Sequence, residues 1–205
     1  MKRTPERAVC FEPMYDERSK VLILGTIPSV ESVRNGFYYM NKYNYFWRLL
    51  SDVTGEDYVI PTENLRNAKG EAEAEKARLK IVGKLKENGI ALFDTISECE
   101  RVGSTDDKIG ERTLNSSSTV LSIIKGSKIK KIFLTSGEAE NNLKRSFGGK
   151  AKAEKALREA MGLSVGEEPF CKILSPSRRA RQSYSERLSS WQKLADFLSP
   201  KGVTT

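Results

Sequence analysis

The sequence predicts an α/β protein of three layers, α/β/α, around a central, mostly parallel four-stranded sheet. Two observations carry this. Four short runs, 21–24 (VLIL), 90–93 (IALF), 132–134 (IFL) and 172–174 (KIL), each end in a turn-prone or polar segment, as buried strands do. Between them lie segments with helical periodicity and helix caps, and strands that alternate with helices build a mostly parallel sheet covered on both faces. A chain of 205 residues is long enough for a core of this kind. One domain over residues 1–205 is therefore expected, with 1–15 and 199–205 peripheral.

The elements follow in order. The first strand ends at Gly25, and Thr26, Pro28 and Ser29 form a polar turn after it. Phe46, Leu49, Leu50 and Val53 repeat at i, i+3, i+4 and i+7, one apolar helix stripe that Gly55 can close. Residues 71–85 (EAEAEKARLKIVGKL) are strong helix formers whose Glu and Lys make a solvated face. The next helix spans 117–125 and stops at Gly126. Thr135 or Ser136 caps another that runs to about Phe147, and 151–161 is one more, with Gly162 just after it. Ser183-Tyr184-Ser185-Glu186 fits a capping box. The helix it opens is expected to bury Leu188, Trp191, Leu194 or Ala195, and Leu198, with Pro200 beyond its end.

Composition narrows the function. Lys and Arg total 35 against 27 Asp and Glu, a net charge of +8, which suits an anionic partner, nucleic acid first, or simply keeps the chain in solution. There is no histidine, so the commonest general base and metal ligand are both missing. Cys10, Cys99 and Cys171 are isolated and suggest no disulfide framework, zinc site or iron–sulfur cluster. No run reaches the length of a membrane helix, and MKRTPERAVC lacks the apolar stretch of a signal peptide, so the cytoplasm is the expected compartment.

Ligands of open α/β sheets bind outside the carboxyl ends of the strands. The first strand end brings Thr26, Pro28 and Ser29, and then the cluster Tyr38, Tyr39, Asn41, Asn44, Phe46 and Trp47. Tyr38 and Tyr39 are either core aromatics or rings on which a base can stack. Asn44 is a helix cap, a catalytic amide or both. The second end supplies Asp94 and Thr95, with Arg101, Gly103, Ser104, Thr105 and Asp106 further on. Asp94 either meets a base edge or caps a turn. Asp106 and Asp107 either pair with Arg101 or Arg112 or, less simply, hold magnesium; adjacent carboxylates point different ways, and no metal is expected. The third end supplies Thr135, Ser136 and Gly137. The fourth is Ser175-Pro176-Ser177-Arg178-Arg179-Ala180-Arg181, whose arginine forks and hydroxyls suit phosphate oxygens, or else form a solvated basic loop.

Four blocks, in order and spanning nearly the whole chain, resemble the uracil-DNA glycosylase superfamily. The likeness is greatest to its hypoxanthine-DNA glycosylase branch and next to the mismatch-specific uracil/thymine glycosylases. LILGTIPSVES…YYMNKYNYFWRLL is similar to that branch's strand, Gly-x-x-Pro turn and "YYAHPRNxFW" segment. GIALFDTISECERVGSTDDKI, KIFLTSGEA and ILSPSRRA…SERLSSWQKL match its later blocks in turn. The resemblance implies an enzyme that flips a deaminated base, uracil or hypoxanthine, out of the duplex and hydrolyses its N-glycosidic bond with neither metal nor cofactor. It implies DNA as the partner and suits a monomer.

Carried over residue by residue, the resemblance makes Asn44 the residue that orients the attacking water, and Tyr39 the ring that stacks on the base. Gly25, Thr26, Ile27, Pro28, Ser29 and Asp94 become the base pocket. Ser175, Pro176, Ser177, Arg178, Arg179 and Arg181 become the DNA contact, with an arginine wedge for the vacated space. Ile27 stands where much of the superfamily has Asp or Asn, and Asn41, Lys42 and Tyr43 replace His, Pro and Arg before the catalytic Asn. The alternative is a non-catalytic nucleic-acid binding module on the same fold. A serine hydrolase using Ser29 or Ser177 is opposed by the missing histidine and the missing G-x-S-x-G elbow.

Overall fold

The computed structural model describes residues 6–101 and 109–198. The chain begins in β1 (Glu6–Val9) and then lays down β2 (Val21–Gly25). Helices α1 (Val30–Asn35), α2 (Phe46–Thr54), α3 (Val59–Arg66) and α4 (Glu71–Glu87) lead to β3 (Ile90–Asp94), β4 (Ile96–Arg101) and β5 (Ile109–Leu114). Next come α5 (Ser117–Lys125), β6 (Lys131–Leu134), α6 (Gly137–Ser146), α7 (Lys150–Met161), β7 (Phe170–Lys172) and α8 (Tyr184–Leu198).

The central sheet has the order β3-β2-β6-β7, and every pairing is parallel. Successive side chains of a strand point to opposite faces, and the two faces are both apolar. Val21, Ile23, Ile90, Leu92 and Phe133 pack with residues of α2, α3, α4 and α8. Leu22, Leu24, Ala91, Phe93, Ile132 and Leu134 pack with residues of α5, α6 and α7. The molecule is thus the expected α/β/α sandwich, with helices closing both faces of a four-stranded sheet. Helix ends fall where the sequence places them: Gly55 and Gly162 close α2 and α7 in the left-handed conformation, and Ser136 caps α6. Ser183 and Glu186 form the reciprocal box that starts α8.

Three features differ from the sequence reading. The last strand lies two residues earlier than 172–174. Leu174 leaves the sheet because α8 takes its backbone: its N–H donates to Ser190 Oγ at 3.0 Å and its carbonyl accepts from Trp191 Nε1 at 2.8 Å. A second, antiparallel sheet of order β1-β4-β5 sits beside the first. Residues 6–14 are therefore woven into the fold and not peripheral, since β1 pairs with β4 and Met14 bridges to Leu92. Among the described residues the buried apolar seam of this small sheet is Ala8, Ile96 and Cys99, and its strands carry charges that mask the alternation. The short helices α1 and α3 were likewise not foreseen; Pro61 sits in the first turn of α3, where its missing N–H is harmless. Residues 1–5 and 199–205 lie outside the described residues, as do Gly103, Ser104, Thr105, Asp106, Asp107 and the side chain of Arg101. Arg112 pairs with Glu138. In α8, Trp191 and Leu194 are buried, while Leu188, Ala195 and Leu198 are only partly so.

Candidate active site

The carboxyl edge of the central sheet is tied by a belt of buried and half-buried hydroxyls and one amide. Thr95 donates through both N–H and Oγ1 to the Gly25 carbonyl, at 3.0 and 3.1 Å. Thr135 does the same to the Leu24 carbonyl, at 3.1 and 3.2 Å. Asn142 of α6, fully buried, donates to Thr95 Oγ1 at 3.3 Å, and Thr26 Oγ1 lies 3.3 Å from Ser136 Oγ. Buried polar groups bonded in this way hold one arrangement rigidly.

Gly25 and Asp94 are register partners at the ends of β2 and β3. A Cβ on Gly25 would collide with Asp94 Oδ1 and lie 2.7 Å from Tyr39 Oη. The glycine is what lets a carboxyl group and a phenol converge on one strand end. Asp94 is 3% exposed. Tyr39 is the single non-glycine residue with positive φ, at 54°, among the described residues. That conformation costs a bulky residue about 1–3 kcal/mol and persists only where its surroundings over-determine it. Here they do. The Tyr39 ring stacks on Phe46 with centroids 3.6 Å apart and 4° between planes. The neighbouring Met40 is fixed by its N–H on Ser32 Oγ at 3.0 Å and by its carbonyl, which accepts from Arg66 Nε at 3.0 Å.

Tyr38, by contrast, is a core aromatic: its hydroxyl donates to the Glu12 carbonyl at 3.0 Å, and Phe11 packs edge-on against it. Burial, then the nearby Asp94 charge, pushes its phenol well above the usual range. Burial likewise raises the thiols of Cys10 and Cys171, so neither is a ready thiolate nucleophile at neutral pH.

Asn44 stands at the mouth of α2. The N-cap of α2 is Tyr45, whose side chain makes no capping bond. Asn44, one residue earlier, accepts from the Phe46 N–H at 2.9 Å through its Oδ1, and so ties down the first helical N–H without being the N-cap itself. The same bond fixes the amide plane next to the residue on which Tyr39 stacks. Tyr45 then donates its N–H to the Pro176 carbonyl at 2.9 Å, which joins this segment to the basic loop. In that loop Pro176 is buried, Ser175 and Ser177 are partly buried, and Arg178, Arg179 and Arg181 are exposed. Two pocket candidates turn elsewhere. Ser29 caps α1, its Oγ accepting from the Ser32 N–H at 3.1 Å, and Ile27 packs against the apolar seam of the small sheet.

Arg187 was not foreseen. It lies on the buried stripe of α8 with Trp191 and Leu194 and is 1% exposed. Its guanidinium donates to carbonyls of the basic loop and its exit: Nε to Gln182 at 3.1 Å, Nη1 to Ser175 at 3.0 Å and Ser177 at 2.6 Å, and Nη2 to Ala180 at 2.8 Å and Gln182 at 2.7 Å. Its Cζ also sits 5.4 Å from the centre of the Tyr45 ring. The signal in the sequence was a cation at i of an i, i+4, i+7 apolar stripe. Asn142 left no comparable mark.

Among the described residues no three Cys, Asp or Glu side chains gather as a metal site, and no helix is long and apolar enough to cross a membrane. The arrangement brings Gly25, Asp94 and Tyr39 together at one strand end, holds Asn44 next to the Phe46 on which Tyr39 stacks, and joins this segment to the exposed arginine loop through Tyr45 and Pro176. No family model matches the chain. It is 32% identical over 183 residues to a hypoxanthine DNA glycosylase of Methanosarcina barkeri, covering 88% of this chain and 93% of that one. Against the hypoxanthine DNA glycosylase of Methanosarcina acetivorans it is 39% identical over 105 residues, 51% of this chain and 57% of that one. A solution structure of a provisionally named uracil DNA glycosylase from Methanosarcina acetivorans superposes with a TM-score of 0.64 at 27% identity, covering 95% of this chain and 99% of the other. The fold and these likenesses define a member of the uracil-DNA glycosylase superfamily. Within it, the chain belongs to the hypoxanthine-DNA glycosylase family.

Proposed function

We propose that the chain is a DNA glycosylase that turns a deaminated base, hypoxanthine or uracil, out of the duplex and hydrolyses its N-glycosidic bond, leaving an abasic site without cutting the strand. The observation that carries this reading is the convergence of Gly25, Asp94 and Tyr39 at one strand end in a chain of this family. Deamination turns an exocyclic amine into a carbonyl and places a proton on the neighbouring ring nitrogen. Hypoxanthine and uracil therefore both present a ring N–H that adenine and cytosine lack. A carboxyl oxygen of Asp94 accepts from that N–H, and the base stacks on the Tyr39 ring face turned away from Phe46. Backbone groups from Gly25 to Ile27, with the turn at Pro28 and Ser29, complete the pocket.

As the bond breaks, the sugar gains oxocarbenium character and the base leaves as an anion. Asn44 orients the water that attacks C1′; this water gives up one proton to solvent as the C1′–O bond forms, and the departed base anion takes one up from solvent. Its Oδ1 keeps one lone pair on the Phe46 N–H and offers the second to the water, so it acts by placement rather than by taking a proton. The serines and arginines of residues 175–181 grip the phosphates on either side. The protein works as a monomer.

The test is a panel of duplexes and single strands, each carrying one uracil, hypoxanthine, xanthine or mismatched thymine, scored for alkali-labile sites. Hypoxanthine and uracil are expected to be released. Release of no base from any substrate overturns the reading, and strand breaks without alkali overturn the claim of a simple hydrolase. A second reading, a binding module without catalysis, is favoured by one observation: Ile27 turns its apolar side chain to the small sheet where much of the superfamily has a polar water-binding residue. Tight binding to the lesion without base release identifies it.

A further inference from the structure

The turn that carries Asn44 projects an aromatic ring that no role described so far uses. Tyr43 is 55% exposed. The other exposed large apolar residues among those described are aliphatic, apart from Phe197, which is 37% exposed and packs edge-on against Phe133. Tyr43 does not sit on a loose loop. Its N–H donates to Asn41 Oδ1 at 2.9 Å, Asn41 Nδ2 donates to Glu31 Oε2 at 3.1 Å, and the Asn44 N–H closes the turn on the Asn41 carbonyl at 2.9 Å. Two cations flank the ring: Lys42 Nζ is 5.0 Å and Arg178 Cζ 5.8 Å from its centroid. Arg178 comes from the opposite loop, so the ring stands where the two loops of the site meet.

We propose that Tyr43 is the wedge that enters the duplex and stacks in the space left by the extruded nucleotide, with Lys42 and Arg178 held against the neighbouring phosphates. The inference rests on the proposed reaction. Extrusion opens a hole in the stack that the protein must fill, and side chains inserted between base steps are apolar or aromatic. The hole and the reacting sugar belong to the same nucleotide, so wedge and water-placing residue must be close. A phenol stacks on any base through its face, which suits a sequence-independent wedge. The proposal replaces the arginine wedge that the family resemblance implies: Arg178 lies 5.8 Å from the Tyr43 ring centre, so the two can share one opening, with the apolar ring in the stack and the guanidinium on phosphate.

The experiment compares the parent, Tyr43→Ala and Tyr43→Trp on the same lesion in duplex and in single-stranded DNA, and reads 2-aminopurine fluorescence beside the lesion on binding. A single strand has no stack to fill. Tyr43→Ala should therefore slow base release in duplex about ten-fold or more beyond its effect on the single strand, as expected from the loss of one aromatic–base stack. It should also reduce the fluorescence rise on binding duplex, and Tyr43→Trp should restore both. Equal losses on duplex and single strand, or none, overturn the wedge. If the parent brightens 2-aminopurine yet releases no base, the proposed reaction fails while the wedge is still judged by whether Tyr43→Ala abolishes that brightening. The ring is exposed, so the variants should fold as the parent does, which their thermal midpoints will verify.

Discussion

The turn at residues 36–45 and the loop at residues 175–182 meet where the Tyr45 N–H reaches the Pro176 carbonyl, yet they are held still by opposite means. The turn is packed. Phe37, Tyr38 and Met40 are buried, Tyr39 lies flat on Phe46, and the packing is strong enough to keep Tyr39 at positive φ. The loop has little to pack. It must keep arginines in water, and its shape comes instead from a single buried guanidinium beneath it that gathers carbonyls from Ser175 to Gln182. The buried turn is set by apolar contact and the exposed cationic loop by a charge-assisted clamp. The rigid fork of arginine can serve several carbonyls at once, which lysine cannot.

The largest effect should come from the tip of the packed turn. Asn44→Ala is expected to lower the rate of base release about a hundredfold or more while costing about 1 kcal/mol of stability through the lost bond to the Phe46 N–H. Asn44→Ser keeps an oxygen for that N–H, so it should regain the stability without the rate. A serine variant as fast as the parent would reduce Asn44 to a structural tie at the helix start. Next comes the end of β2. Gly25→Ala drives a methyl group into Asp94 and Tyr39, and overpacking of this kind costs about 1–3 kcal/mol. Base release should fall about a hundredfold through misplacement. An unchanged rate would mean that the base does not approach this strand end.

Arg187→Met tests the clamp. Loss of its charge-assisted bonds should lower stability by about 3 kcal/mol, read as a lower urea midpoint, and weaken DNA binding more than the chemical step. Arg187→Lys should rescue little. If Arg187→Met binds DNA as the parent does, the loop holds its shape without the guanidinium. The smallest effect belongs to the exposed rim. Arg179→Ala should leave stability alone and reduce the slope of log affinity against log salt by about 0.9, the share of one phosphate contact. A slope equal to the parent's would take Arg179 out of the DNA footprint.

Much of this molecule is legible along the chain because its signals are local. The stripe of Phe46, Leu49, Leu50 and Val53, the left-handed glycines at 55 and 162 and the Ser183–Glu186 box each lie within a few residues, and each falls where expected. The small sheet was hidden because its strands are short, partly charged and paired across about ninety residues, as Ala8 with Cys99. Tyr39 and Asp94 can be picked out as types, but their convergence on Gly25 cannot, since three separate segments build it.

The sequence by itself determined the layered fold, the helix caps, the basic surface and the family, because periodicity, capping and motif order are written in neighbouring residues. Only the tertiary structure decided that Ile27 serves the small sheet, that Ser29 is a cap, and that a cation on an apolar stripe is the keystone of the basic loop. Those assignments depend on which distant carbonyls, rings and carboxyl groups arrive beside a side chain. Long-range packing sets that, and local preference does not encode it.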